Sequence, residues 1–135
     1  MTDTFTAEKR SEVMRAIKGK DTKPEMVVRS VAHRLGYRFR LHVRELTGCP
    51  DLVFPRRRKV IFVHGCFWHG HAGCKEGRLP KSNVDYWTQK IGRNKKRDAS
   101  VIRKLRKEGW GVKIVWECQT GRPDSLSKII EKFMI

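Results

Sequence analysis

The chain has 135 residues, 39% of them apolar, which suits one globular domain with a buried core and argues against a disordered chain. Its 31 Lys+Arg against 14 Asp+Glu leave a net charge of +17 and a pI near 10.4. That balance favours a polyanionic partner and would serve a ribosomal or other structural RNA binder equally well.

No apolar run approaches the roughly 20 residues that cross a bilayer. Met1-Thr2-Asp3-Thr4-Phe5 lacks the basic start and apolar continuation of a secretory signal. A cytosolic chain is expected, with its four cysteines as thiols or metal ligands. No internal repeat, linker or low-complexity segment is visible.

In chain order, the first expected helix runs from about Ala7 to Lys18, with Thr6 at its start. Thr22 and Glu25 have capping-box spacing, and Pro24 falls in the first turn of a second helix. Met26, Val27, Val31 and Leu35 recur at helical spacing until Gly36 ends it. Tyr37, Phe39 and Leu41 alternate with Arg38 and Arg40, the pattern of a half-buried strand. Asp51-Leu52-Val53-Phe54 reads as a second strand, closed by a turn at Pro55 and three arginines, and Lys59–Val63 as a central third. A long helix is expected from Val84 to Glu108, capped by Ser82 or Asn83, with Trp87, Ile91, Val101, Ile102 and Leu105 inward and Gly109 after it. Trp110–Trp116 forms another strand, and Asp124 can cap a last helix carrying Leu126, Ile129, Ile130 and Phe133. This order implies an α/β fold, a sheet flanked by helices.

The run from His64 to Cys74 holds three histidines, two cysteines and the adjacent rings of Phe67 and Trp68 just after an apolar strand. If the Trp110–Trp116 strand lies beside Lys59–Val63, then Cys66, His71, Cys74 and Cys118 meet at one sheet end. Three thiolates and an imidazole make a closed, structural zinc site; buried free thiols are the alternative. Cys49 reads as a plain small residue.

Asp51 opens a hairpin whose second strand leads to His64. Restriction-type nucleases place an acidic ligand at such a position, where a magnesium ion orients water and offsets phosphate charge. Phe62-Val63-His64 stands where those enzymes carry an acid, any residue and a lysine. A backbone carbonyl can replace the missing ligand, and Glu25 is an available carboxylate. Free imidazole titrates near neutrality, so His64 or His69 could activate water or protonate a leaving oxygen, with Asp98 able to orient one of them. Alone, Asp51 would read as a solvated turn acid.

Phe67, Trp68 and Trp87 offer apolar wedges, which enter a weakened, mispaired base step at lower cost than a paired one. Core filling is the alternative, and the expectation for Trp110 and Trp116. Two consecutive rings cannot both point inward from an extended loop, so one of Phe67 and Trp68 is expected at the surface. Lys90, Arg93, Lys95, Lys96 and Arg97 would contact phosphates without reading sequence.

Together these residues resemble the very-short-patch repair (Vsr) family of DNA mismatch nickases. The likeness spans nearly the whole chain: Met14-Arg15-Ala16-Ile17, Pro50-Asp51, the run from Val60 to His69, Lys90-Ile91-Gly92 with Asn94 and Asp98, and Val115-Trp116-Glu117-Cys118. His64-Gly65-Cys66-Phe67-Trp68-His69 is close to a family signature.

The resemblance implies a restriction-endonuclease-like fold in a single domain over residues 1–135. Residues 1–20 would form a DNA-contacting helix and 21–135 the catalytic core, with a central mixed sheet and a structural zinc. It implies a magnesium-dependent nick 5′ to the thymine of a T·G mismatch left by 5-methylcytosine deamination. The implied partners are mismatched double-stranded DNA, a cytosine-5 methyltransferase acting in the same process, and mismatch-repair proteins. The implied setting is a monomer in the bacterial cytoplasm, working at the nucleoid without a membrane.

By position, the resemblance makes Asp51 and the main-chain oxygen of Val63 magnesium ligands. His69 becomes the base oriented by Asp98, supported by His64 and Glu25, and Cys66, His71, Cys74 and Cys118 the zinc set. Phe67, Trp68 and Trp87 become the wedge, Met14 a minor-groove contact, and Lys90, Arg93, Asn94, Lys95 and Lys96 further DNA contacts. Val63 stands where threonine is expected in that family, and the His71–Cys74 spacing carries one extra residue. Two other readings remain: a zinc-stapled nucleic-acid-binding module without catalysis, and a sequence-specific endonuclease of the same fold.

Overall fold

The computed structural model describes residues 22–135, apart from the side chain of Glu76. The expected helix over 7–18, with Met14, lies outside the described residues.

Helix α1 (Lys23–Arg34) leads into strand β1 (Arg40–Leu41), and a loop returns as β2 (Leu52–Phe54). A short 3-10 turn, Pro55–Arg57, leads to β3 (Lys59–His64), and the loop after it holds a second, Lys75–Gly77. Helix α2 (Val84–Lys107) then precedes β4 (Gly111–Trp116), a third 3-10 turn (Glu117–Gly121) and helix α3 (Pro123–Met134).

The sheet order is β1-β2-β3-β4, antiparallel in the first two pairings and parallel between β3 and β4. A parallel pair needs a long crossover, which α2 supplies. The sheet is therefore flanked by helices, as the element order implied, and mixed, as the resemblance implied.

Side-chain alternation divides the core between two faces. Leu52, Phe54, Ile61 and Val115 pack with Val28, Val31 and Ala32 of α1 and Leu126, Ile130 and Met134 of α3. Val53, Val60, Phe62 and Val112 pack with Leu105 of α2, joined by Val101 and Ile102. Helices from both faces thus converge on the same sheet, with the end of β3 between them.

Several elements depart from the sequence pattern. Only Arg40 and Leu41 of the expected Tyr37–Leu41 strand pair with β2, opposite Val53 and Leu52. Pro55 breaks β2 after three residues, so nothing extends the ladder back to Tyr37. Tyr37 and Phe39 still seat edge-on against Phe54, at 6.4 and 5.9 Å, whereas Leu41 is exposed.

Thr22 caps α1 through Glu25 N–H, but the Glu25 side chain turns into a buried polar cluster. Asn83 occupies the N-cap of α2 in a left-handed conformation with no side-chain capping bond. Arg122, not Asp124, is the N-cap of α3; Pro123 takes the first helical position, which puts Asp124 in the first turn. There its charge still complements the helix dipole.

Candidate active site

The first cluster is acidic and sits beside the carboxyl end of β3. The β1–β2 register pairs Leu41 with Leu52 and so sets His42 opposite Asp51, whose carbonyl accepts from His42 N–H at 3.3 Å. Asp51 Oδ2 accepts from Val63 N–H at 2.7 Å. In a strand, the N–H and C=O of one residue leave on the same edge. The Val63 carbonyl therefore faces the Asp51 side of β3.

Glu25, 2% exposed, approaches from α1. Its Oε2 lies 2.5 Å from Arg29 Nη2 and 3.3 Å from His42 Nε2. Ligand atoms of Glu25, His42 and Asp51 lie within 4.8 Å of one another, close enough to share a cation. Burial, then the hydrogen bond and negative charge of Glu25, push the Asp51 carboxyl up to about 8, against the Val63 N–H and the Arg29 guanidinium. A cation would relieve this crowding, so the two carboxylates of this cluster fit a hard divalent ion.

The second cluster lies one residue further on, toward α2. His64 and His69 stack with centroids 3.7 Å apart and planes 9° from parallel. Asp98 Oδ2 lies 2.6 Å from His69 Nδ1 and 4.0 Å from His64 Nδ1. In this contact the carboxylate oxygen accepts and His69 Nδ1 donates, which turns Nε2 away from Asp98. Burial, with His69 alongside, holds His64 down to about 4. His64 is therefore neutral near pH 7.

The expected Cys/His cluster is assembled. His64 pairs with Trp116 across the parallel strands, which carries Cys66 and Cys118 past the sheet end together. Ligand atoms of Cys66, His71, Cys74 and Cys118 lie within 4.8 Å of one another, a set that fits a tetrahedral metal site. His71 N–H bonds the Cys66 carbonyl at 2.9 Å, closing the loop on itself. In the metal-free chain, burial and the neighbouring Cys118 and Cys74 thiols push Cys66 up to about 12. Cys49 takes no part in this cluster.

Trp116 is a connector between the clusters. It stacks on His71 at 4.1 Å and meets His64 edge-on at 5.4 Å. Trp110 packs against the α2 side of the core as expected, with Arg58 over its ring.

Phe67, Trp68 and Trp87 form a three-ring cluster with centroids 5.2 to 6.0 Å apart. All three are half-buried, so the surface is shared between Phe67 and Trp68. Asn94, expected at the surface, is buried: it donates to the Trp68 carbonyl at 2.9 Å and accepts from Arg97 at 2.6 Å. With Lys90, Arg93 and Arg97 it lines a shallow depression of about 390 Å³ on α2.

Arg29 and His42 are the residues that sequence reasoning missed. The signal lay in the hairpin register, which puts His42 across from Asp51, and in the helical spacing of Glu25 and Arg29.

Residues 2–75 match the family model described as DNA mismatch endonuclease Vsr, more than half of the chain. The chain belongs to the Vsr family. Vsr-family relatives include the type II nicking enzyme V.XorIIP of Xanthomonas oryzae pv. oryzae. It is 54% identical over 119 residues, covering 88% of this chain and 87% of the relative. The type II nicking enzyme V.NmeAIP of Neisseria meningitidis is 46% identical, with 88% and 84% covered. The DNA mismatch endonuclease Vsr of Escherichia coli is 42% identical, with 87% and 75% covered. Membership makes this Vsr-family chain a DNA endonuclease, and the family implies a divalent cation for catalysis.

Proposed function

We propose that this chain nicks one strand of double-stranded DNA on the 5′ side of the thymine in a T·G mismatch, with magnesium as cofactor. The observation that carries this reading is that Asp51 bonds Val63 N–H while the next residue, His64, stacks on His69. A cation-binding acid and a proton carrier thus share one strand end.

Asp51 and the Val63 carbonyl would hold the magnesium ion, with Glu25 beside them. When bound, the ion supplies Lewis acidity and offsets the charge that builds on the scissile phosphate. His69, fixed by Asp98, takes the proton of the attacking water at Nε2. Asp98 then stabilises the imidazolium. His64 is held neutral, so it braces the His69 ring without placing a second cation beside it.

Cys66, His71, Cys74 and Cys118 would hold a structural zinc, which supplies a rigid tetrahedral junction between loop and sheet. Phe67, Trp68 and Trp87 would press into the mispaired step. Lys90, Arg93, Lys95 and Lys96 would contact phosphates, while Asn94 holds the Trp68 carbonyl in place. The product suits repair initiation beside a cytosine-5 methyltransferase, since 5-methylcytosine deamination generates T·G.

A second reading, nicking at a fixed sequence, is favoured by the nicking-enzyme names of the Xanthomonas and Neisseria relatives. Strand-resolved cleavage of duplexes carrying T·G, T·A or C·G in varied flanks, with and without magnesium, separates the readings. The proposal expects one nick in the T strand of T·G only, lost in Asp51→Ala with duplex binding retained. Equal nicking of fully paired duplexes would overturn the mismatch assignment.

A further inference from the structure

Arg29 and His42 have no part in the chemistry above, yet they close the acid cluster. Arg29 Nη2 lies 2.5 Å from Glu25 Oε2 and 3.1 Å from His42 Nε2, and those two acceptors are 3.3 Å apart. A guanidinium nitrogen offers only hydrogens, and its two hydrogens diverge, one toward each acceptor. His42 Nε2 must then present its lone pair, which leaves the ring hydrogen on Nδ1.

Nδ1 faces Asp51 Oδ1 at 3.7 Å, an electrostatic contact longer than a hydrogen bond. The other oxygen, Oδ2, accepts from Val63 N–H at 2.7 Å. The Asp51 carboxyl is thus held by the Val63 N–H at Oδ2 and by its hydrogen bond with Glu25, with the His42 imidazole beside Oδ1.

The ring is placed by backbone. His42 adopts φ 48°, in the left-handed region, and its N–H bonds the Asp51 carbonyl at 3.3 Å. Few residues other than glycine take that conformation, and histidine is among those that tolerate it. Arg29 and His42 are also largely shielded from solvent, at 14% and 12% exposure. A direct ligand role for His42 is opposed by the guanidinium standing against its Nε2.

We propose that Arg29 and His42 are positioning residues: the guanidinium fixes His42 as the Nδ1–H tautomer, and that ring holds Asp51 in its cation-binding orientation. The inference rests on Asp51 binding the catalytic cation, as proposed above. It adds a tautomer-locking relay that runs from α1 through the end of β1 to Asp51.

The test has two readouts on the full, zinc-loaded chain. Long-range proton–nitrogen correlation spectra should show His42 as Nδ1–H in the parent and a mixed tautomer in Arg29→Ala. An Nε2–H or imidazolium pattern in the parent overturns the proposal, and this readout needs no variant to fold. Calorimetric titration with Mn2+ alone should show affinity lowered about ten- to a hundredfold in His42→Ala, the usual effect of removing a group that orients a metal ligand. His42→Asn keeps a donor near Nδ1 and tolerates left-handed backbone, so it should restore most of the affinity. At saturating Mn2+, KM for the duplex should match the parent.

Unchanged Mn2+ affinity in a folded His42→Ala overturns the relay. If Asp51→Ala abolishes Mn2+ binding while His42→Ala does not, only this inference fails. If Asp51→Ala binds Mn2+ normally, the proposed cation site itself fails.

Discussion

Asp51 is unusual because its surroundings oppose its own charge. Folding takes its carboxyl from an ordinary 3.8 up to about 8, through burial first and Glu25 second. Between those values the folded chain binds more protons than the unfolded one. Metal-free stability must therefore fall as pH rises through that window, by at most about 1.4 kcal/mol per pH unit from this group. Asp51→Asn removes the group, so without magnesium the variant should melt above the parent once pH exceeds about 8. Melting curves of the two proteins against pH check this; parallel curves would mean that Asp51 is not crowded. Under the proposed function magnesium would displace the same proton, so its affinity should rise as pH approaches that value.

Gly77 is a second residue whose role follows from space alone. A Cβ there would collide with the His71 carbonyl oxygen, and backbone cannot swing aside as a flexible side chain can. Gly77→Ala should therefore displace His71, lower the zinc retained after purification and weaken nicking. Zinc content measured by elemental analysis decides this, and a fully loaded variant would show that the loop adapts.

Among the elements, the loop after β3 depends most on its neighbours. Parallel pairing of His64 with Trp116 brings Cys118 to Cys66, and Asn94 on α2 holds the Trp68 carbonyl. Periodicity made the helix-flanked sheet legible and dense local spacing the Cys66, His71 and Cys74 part of the Cys/His set, whereas Cys118 rested on an inferred strand neighbour and Asp51 on the company of His64 and His69. The sequence hid His42, whose left-handed turn carries no motif, and the inward role of Asn94, whose amide looks like any polar residue on an exposed helix. Trp116 reads as core in the sequence because a ring that stacks on His71 has the same signature there as one packed on leucine.

The three-ring cluster belongs to this scale too, since loop and helix build it jointly. Base–aromatic stacking contributes on the order of 1 to 3 kcal/mol, and a mispaired step admits a wedge more readily than a paired one. Trp68→Ala should therefore cut the preference for T·G over T·A duplexes about tenfold, within that stacking range. Affinity for paired DNA should change much less. Competition binding with both duplexes measures the ratio, and equal losses on each would reduce the cluster to scaffolding.

At the scale of the whole molecule, the sheet separates two contributions and its end reunites them. Helices α1 and α3 cover one face and α2 the other, so Glu25 and Asp98 reach the β3 terminus from opposite sides. Under the proposed function, a duplex lying across that terminus would meet Lys90, Arg93 and Arg97, which line one depression on α2, within a chain carrying +17 overall. Each neutralised phosphate releases counterions, so affinity must depend on salt as well as on fit. If about six phosphates are contacted, log affinity should fall with log salt at a slope near −5. Replacing Lys90, Arg93 and Arg97 together should flatten the slope by about 3, on T·G and paired duplexes alike, because phosphate contacts carry no sequence information. Fluorescence anisotropy across a salt series measures both slopes. A triple variant with the parental slope would place the duplex on some other face, away from α2.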